Sequence, residues 1–365
     1  MSTQKNKLQK IISAFLMILV FITCEIGCFE NAASGKSIPR KERWGIYALD
    51  VTTKDVELIY SSPHRTSCLD LNGSGDTFVF SQRIDGDTIE DEEICTVKVD
   101  GSNFQRLTNN NVMDTYPCWS PDGSRIAFLS WPDETMDIYV IDANSSTSRK
   151  LYDSGYHDGD INWVQDKIVF TRNSQIWMMR EDGTGAVQVT DPPRAGEWGE
   201  AVLPFGDYDP RLSPDCTKII FSRLVDDKTQ HGIYYIYSIN PDSSGEEALV
   251  TTEYTQGLTN WSHSGDRIVY MVSAIGEEGV YDIYMVNADG TNNHNITPDF
   301  PDNFTCYTPV FSPDDSLIYF VGEWWGEKVS EEVSEEASEE KASGFGLLSV
   351  LLGVVLTSII LRKRS

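Results

Sequence analysis

The sequence predicts an all-β protein, a six-bladed β-propeller made of four-stranded antiparallel blades. Three observations predict it. A turn-and-strand motif recurs six times, a second strand motif alternates with it, and the chain begins with the second motif and ends with the first. With 40% hydrophobic residues, 9 Trp and 16 Tyr, the chain carries too many core-forming side chains to stay disordered.

Residues 1–34 read as a secretory signal peptide. Lys5, Lys7 and Lys10 precede the apolar stretch Ile11 to Ile22, and small residues follow at Ala32, Ala33 and Ser34. The stretch is short for a spanning helix, which needs about 20 residues. Residues 35–43 form a short lead-in, and residues 44–326 form the propeller.

The propeller opens with a copy of the second motif within Trp44 to Tyr60. Five complete pairs of motifs follow, and a lone first motif, Tyr307 to Phe320, closes the series. The first motif is plainest in Trp119-Ser-Pro-Asp-Gly-Ser-Arg-Ile126 and Trp261-Ser-His-Ser-Gly-Asp-Arg-Ile268. Leu71 to Phe78, Leu212 to Ile219 and Phe311 to Ile318 have the same length, and Trp163 to Ile168 is two residues shorter. Pro presets φ for the turn, Asp favours it, and Gly tolerates the backbone that leads into the next strand. The second motif appears in Asp137-Ile-Tyr-Val-Ile-Asp142 and Asp282-Ile-Tyr-Met-Val-Asn287, followed by turns such as Asp100-Gly-Ser102 and a last short strand. From Trp44 to Phe320 the average is about 46 residues per blade, close to the period of propeller repeats. The two lone motifs complete one blade and close the ring, which removes the open sheet edges.

After the propeller, residues 327–343 repeat Ser-Glu-Glu from Ser330, Ser334 and Ser338 and read as an acidic, solvated stalk. Residues 344–365 read as a membrane anchor. Phe345 to Leu361 is free of charge, and Arg362, Lys363 and Arg364 place the C-terminus inside. The propeller is then expected at the cell surface, on the extracellular face of the membrane, held by a single C-terminal pass.

At the quoted turns and strands a family resemblance becomes clear. Trp-Ser-Pro-Asp-Gly, Asp-Ile-Tyr-x-x-Asp and Asp-Gly-Thr resemble the repeat of TolB-like propellers, also called WD40-like or PD40 repeats, over residues 44–321. The resemblance implies the fold; function has to come from a site, because such propellers serve many tasks. The tail from Gly344 and Phe345 resembles the sorting signals of archaeal surface proteins, with Ser343 where those carry Pro, and this implies an archaeal source.

A formal charge of −27, of which −26 falls within residues 35–326, excludes nucleic acid as a partner. No Gly-x-Ser-x-Gly elbow occurs, and the five His are scattered without zinc-binding spacing. Five residues before the apolar first-motif position stand Asp114, Asp158 and Asp207; three before it stand Asp160 and Asp209. These positions lead into the innermost strands of three consecutive blades. The five carboxylates are expected either to cap turns or to converge at one rim of the channel, where hard oxygen ligands suit Ca²⁺. No other cofactor is expected.

The long connection from Asp191 to Asp209 carries Trp198, either as a plug over the channel or as a stacking platform for a ligand. Cys68, Cys118 and Cys306 precede first-motif strands in adjacent blades; they read as one disulfide or as small buried hydrophobes, with Cys95 and Cys216 completing the set. Glycosylation is expected at Asn72, Asn144, Asn295 and Asn303. The function expected is a surface-anchored propeller that binds or scaffolds an extracellular protein, peptide or glycan. The alternatives are a carbohydrate-active enzyme, lyase or hydrolase, using rim carboxylates, and a passive envelope component.

Overall fold

The computed structural model describes residues 38–84, 88–228, 231–273 and 280–325. The segments read as signal peptide, stalk and anchor, the last with Gly344 and Phe345, lie outside the described residues. Among the described residues, twenty-four strands form six four-stranded antiparallel sheets. The innermost strands are β3 (Thr66–Leu71), β7 (Asp114–Trp119), β11 (Asp158–Val164), β15 (Gly206–Leu212), β19 (Thr255–Trp261) and β23 (Phe304–Phe311). Each inner strand packs on the next, and β23 returns to β3.

The closing blade is composite, as the motif order requires. Its sheet runs β2 (Val56–Ser62), β1 (Trp44–Asp50), β24 (Leu317–Trp324), β23, so the N-terminal strands complete a sheet begun by the C-terminal ones. Alternate side chains of β1 point to opposite faces. Trp44, Ile46 and Ala48 pack with Phe78 and Phe80 of the first full blade, whereas Tyr47 and Leu49 pack with Val269 and Ile283 of the fifth. Gly45 faces Gly322 across the sheet, and a Cβ at either would strike the Tyr47 ring.

The first-motif turns owe their sequence to side chains that replace backbone partners. Ser120 Oγ donates to Asp122 Oδ1 at 2.6 Å and accepts from the Arg125 amide, while Asp122 Oδ1 also accepts from the Ser124 amide. Ser213 with Asp215 and Ser312 with Asp314 repeat the arrangement. Gly123 takes φ +67°, and Cys216 takes φ +60° in its place, so that hairpin forms without glycine. The short copy also forms: Trp163 pairs with Ile168, and Gln165 supplies the left-handed residue.

Every inner strand carries a bulge. Cys68, Tyr116, Asp160, Asp209, Leu258 and Thr308 occupy equivalent positions, three before the apolar residue of the first motif, and all have φ between 47° and 55°. The pairing with the second strand shifts at that point in all six blades. A bulge bends its strand and re-aims the neighbouring side chains. Here it feeds the channel. Two residues beyond each bulge, Asp70, Cys118, Asn162, Arg211, Asn260 and Val310 line a narrow cavity of about 30 Å³. Two of these tie blades together: Asp70 Oδ2 accepts from the Trp119 amide at 2.8 Å and Asn162 Oδ1 from the Leu212 amide at 3.0 Å.

Candidate functional site at the channel mouth

The five rim aspartates do not form one cluster. Asp114, Asp158 and Asp207 each stand directly opposite a residue of the second strand, in the register Asp114 to Ser130, Asp158 to Arg172 and Asp207 to Arg223. That partner captures the carboxylate within its own blade. Ser130 Oγ and Asn110 Nδ2 donate to Asp114. Arg172 Nε donates to Asp158 Oδ1 at 2.9 Å. Arg223 grips Asp207 with two hydrogen bonds of 2.6 and 2.9 Å and holds Glu246 with its other face. Of the two readings, turn capping or convergence at one rim, the second is cut from five carboxylates to two, and among the described residues no three His, Cys, Asp or Glu side chains meet as a metal site would need.

Asp160 and Asp209 are the two that come together. Both sit at bulges on neighbouring inner strands, and the Asp209 amide donates to Asp160 Oδ2 at 3.3 Å. Their carboxylates open on a cavity of about 80 Å³ walled by Tyr116, Tyr208, Tyr234, Tyr281, Leu203 and Met271. Burial, followed by the Asp160 charge, pushes Asp209 up to about 7, and burial raises Asp160 as well. The wall residues escaped sequence reasoning because they come from several strands and loops with no common motif position.

Leu203, rather than Trp198, covers this end of the channel. It belongs to an apolar cluster with Ala201, Val202, Phe205, Tyr208, Leu224 and Tyr234 that folds the long connection over the fourth full blade. Trp198 is 39% exposed and takes no part in the cavity wall, which removes the plug reading. The disulfide reading also falls: Cys68, Cys95, Cys118, Cys216 and Cys306 are all free thiols, and Cys306 Sγ donates to the Tyr281 carbonyl. Asn72 is a correction as a glycosylation site. It is buried, its Nδ2 donates to Asp76 and its Oδ1 accepts from the Asp76 and Thr77 amides, so a glycan would break the turn. Asn144, Asn295 and Asn303 are exposed.

Buried carboxylates give stability an unusual pH dependence. Burial pushes Asp114 up to about 6 and Asp158 and Asp209 up to about 7. An unfolded Asp ionises near pH 4. Between about pH 4 and 7 the folded chain therefore binds more protons than the unfolded one, and stability falls as pH rises through that window. The turn aspartates Asp122 and Asp314, lowered to about 2 by hydroxyl and amide donors, act in the opposite sense only below about pH 4. The melting temperature is expected to drop between pH 5 and pH 8, and Asp209→Asn should flatten that slope. A melting temperature that rises steadily over this range would refute the assignment.

Comparisons with known proteins agree with this geometry. The model of the TolB beta propeller domain family, PD40, matches residues 40–264. An uncharacterized protein of Agrobacterium fabrum is 28% identical over 178 residues, 46% of this chain and 57% of its own. A TolB homolog of Chlorobium luteolum is 26% identical over 135 residues, 36% of this chain and 28% of its own. The chain thus spans little more than half of the first relative and under a third of the second. Both relatives are bacterial, and neither supports the archaeal source implied by the tail. A solved structure assigned to TolB from Agrobacterium tumefaciens superposes with a TM-score of 0.59 at 15% identity, covering 78% of this chain and 99% of that one, and shows the shared fold. With a family model that spans over half of its length and six blades in the matching order, the chain belongs to the TolB β-propeller family.

Proposed function

We propose that the chain is a binding propeller that takes a protein, peptide or glycan partner on its channel-mouth face. One observation carries this reading. The mouth is a concave site with aromatic and aliphatic walls and a small number of convergent polar groups, the usual form of a recognition pocket. Exposed Trp198 on the adjoining connection extends the apolar surface available to a partner. The apolar run 345–361, with its basic end, would hold the propeller outside the cell, its C-terminus inside.

The Asp160 and Asp209 pair favours a second reading, a carbohydrate-active enzyme, because a carboxylate that titrates near neutrality can serve as a general acid. Both readings are tested together. The purified chain is screened against extracellular proteins, peptides and polysaccharides, and any binder is retested with Leu203→Glu and Trp198→Ala. Binding weakened by about tenfold or more in both variants is the expected result, since truncating or charging a central contact costs at least that much. Binding that neither variant changes would move the partner to another face. Shortened sugar chains released from a polysaccharide, and lost in Asp209→Asn, would replace the binding reading with the enzymatic one.

A further inference from the structure

We propose that the channel mouth holds a primary ammonium group, seated between Asp160 and Asp209 and against the tyrosines around them. The inference rests on the reading of this face as a recognition surface and names the chemistry that it recognises. Charge gives the first argument. Arg211 is the cation whose field reaches both carboxylates. Arg211 is shared with Asp70 as well, so the carboxylates outnumber the guanidinium and leave net negative charge for an incoming cation to offset. The wall supplies the second argument. Its tyrosine rings, Leu203 and Met271 cannot replace the six to eight oxygens that a small hard ion such as Ca²⁺ requires, whereas aromatic faces attract organic cations.

Unsatisfied acceptors decide between classes of ammonium. Tyr234 is 7% exposed and Gln256 is 3% exposed, both line the cavity, and neither Tyr234 Oη nor Gln256 Oε1 has a hydrogen-bond partner. The orientation of the amide is fixed, because Gln256 Nε2 donates to the Tyr234 carbonyl at 2.8 Å. Buried acceptors left empty are uncommon and costly. A primary ammonium brings three N–H donors, enough for a carboxylate, Tyr234 Oη and Gln256 Oε1 together. A quaternary ammonium brings none. The raised Asp209 adds a linkage: below about pH 7 the pair keeps a proton that an incoming cation expels, so binding releases protons and tightens as pH rises. Arg211, His231 and the four tyrosines also face the pair, and an Asp209→Asn variant leaves all of them in place.

The test is calorimetric titration of the full chain in detergent with n-butylammonium, choline and Ca²⁺, at pH 6.5 and pH 8. Butylammonium should bind saturably, with proton release at pH 6.5, and at least about tenfold more tightly than choline. Tyr234→Phe and Asp209→Asn should each weaken it by about tenfold while the melting transition stays cooperative. Two further probes separate the sources of the amine: Nα-acetyl-lysine amide presents a side-chain ammonium and glycinamide an N-terminal one. Absence of saturable butylammonium binding, equal binding of choline, or preference for Ca²⁺ would each overturn the proposal. A partner from the screen that still binds Asp209→Asn, while no amine binds the native chain, would remove the ammonium site and leave the recognition surface standing.

Discussion

Deleting residues 44–62 is expected to abolish cooperative folding, although they stand ahead of the five complete blades in the sequence. They form β1 and β2, and β1 pairs with β24 along seven consecutive positions from Trp44 against Glu323 to Asp50 against Leu317. Trp44, Ile46, Tyr47 and Leu49 are all buried, on both faces of the closing blade. Burying each large apolar side chain stabilises by about 1.5–3 kcal/mol, so the four together amount to roughly 6–12 kcal/mol. That is the size of the whole stability of a typical domain, about 5–15 kcal/mol. The truncated chain should also expose the full edge of β24 and aggregate. Circular dichroism melting decides the matter: a transition within a few degrees of the intact protein would disprove closure by the N-terminal strands.

The second large effect is expected at Arg223. Asp207 is fully buried, and two hydrogen bonds from Arg223 are what make its charge tolerable there. Burial raises the Asp207 pKa and the guanidinium lowers it, with burial the larger. Arg223→Met strips the buried carboxylate of its counter-charge, with the Thr190 hydroxyl still beside it, and should cost about 3–5 kcal/mol. With the arginine gone the folded-state pKa rises further, so the loss should be milder at pH 5, where the proton stays on, than at pH 8. The double variant Asp207→Leu with Arg223→Met removes both charges and should recover most of the loss. Chemical denaturation at the two pH values measures all three quantities. An Arg223→Met protein as stable as the native one at pH 8 would show that the pair contributes nothing.

The architecture was legible because turn chemistry is local. Ser, Asp and Gly in the first-motif turns act on residues within five positions, so their pattern survives in the sequence, and motif order alone revealed the composite blade. The site was half legible. Asp160 and Asp209 were found by counting positions. The capture of Asp158 and Asp207 was missed because their partners lie 14 and 16 residues away on the second strand. Arg172 and Arg223 at equivalent places in two blades were the available signal. The six bulges were hidden for a different reason: Cys, Tyr, Asp, Leu and Thr share no preference for positive φ, so the ring imposes that conformation against local propensity. Pro117, Pro210 and Pro309, each directly after a bulge, were the one trace of it.

The composite blade also has a mechanical meaning. β1 and β24 run antiparallel, with Trp44 opposite Glu323, so the chain enters and leaves the ring at the same end of one strand pair. Tension applied between the two ends would load that pair in the unzipping direction, where hydrogen bonds break one at a time rather than together. Tension applied through one end alone, with the other free, puts no such load on the seam. A propeller tethered only by its C-terminal side, with its leader removed, would carry the latch of its ring under no strain.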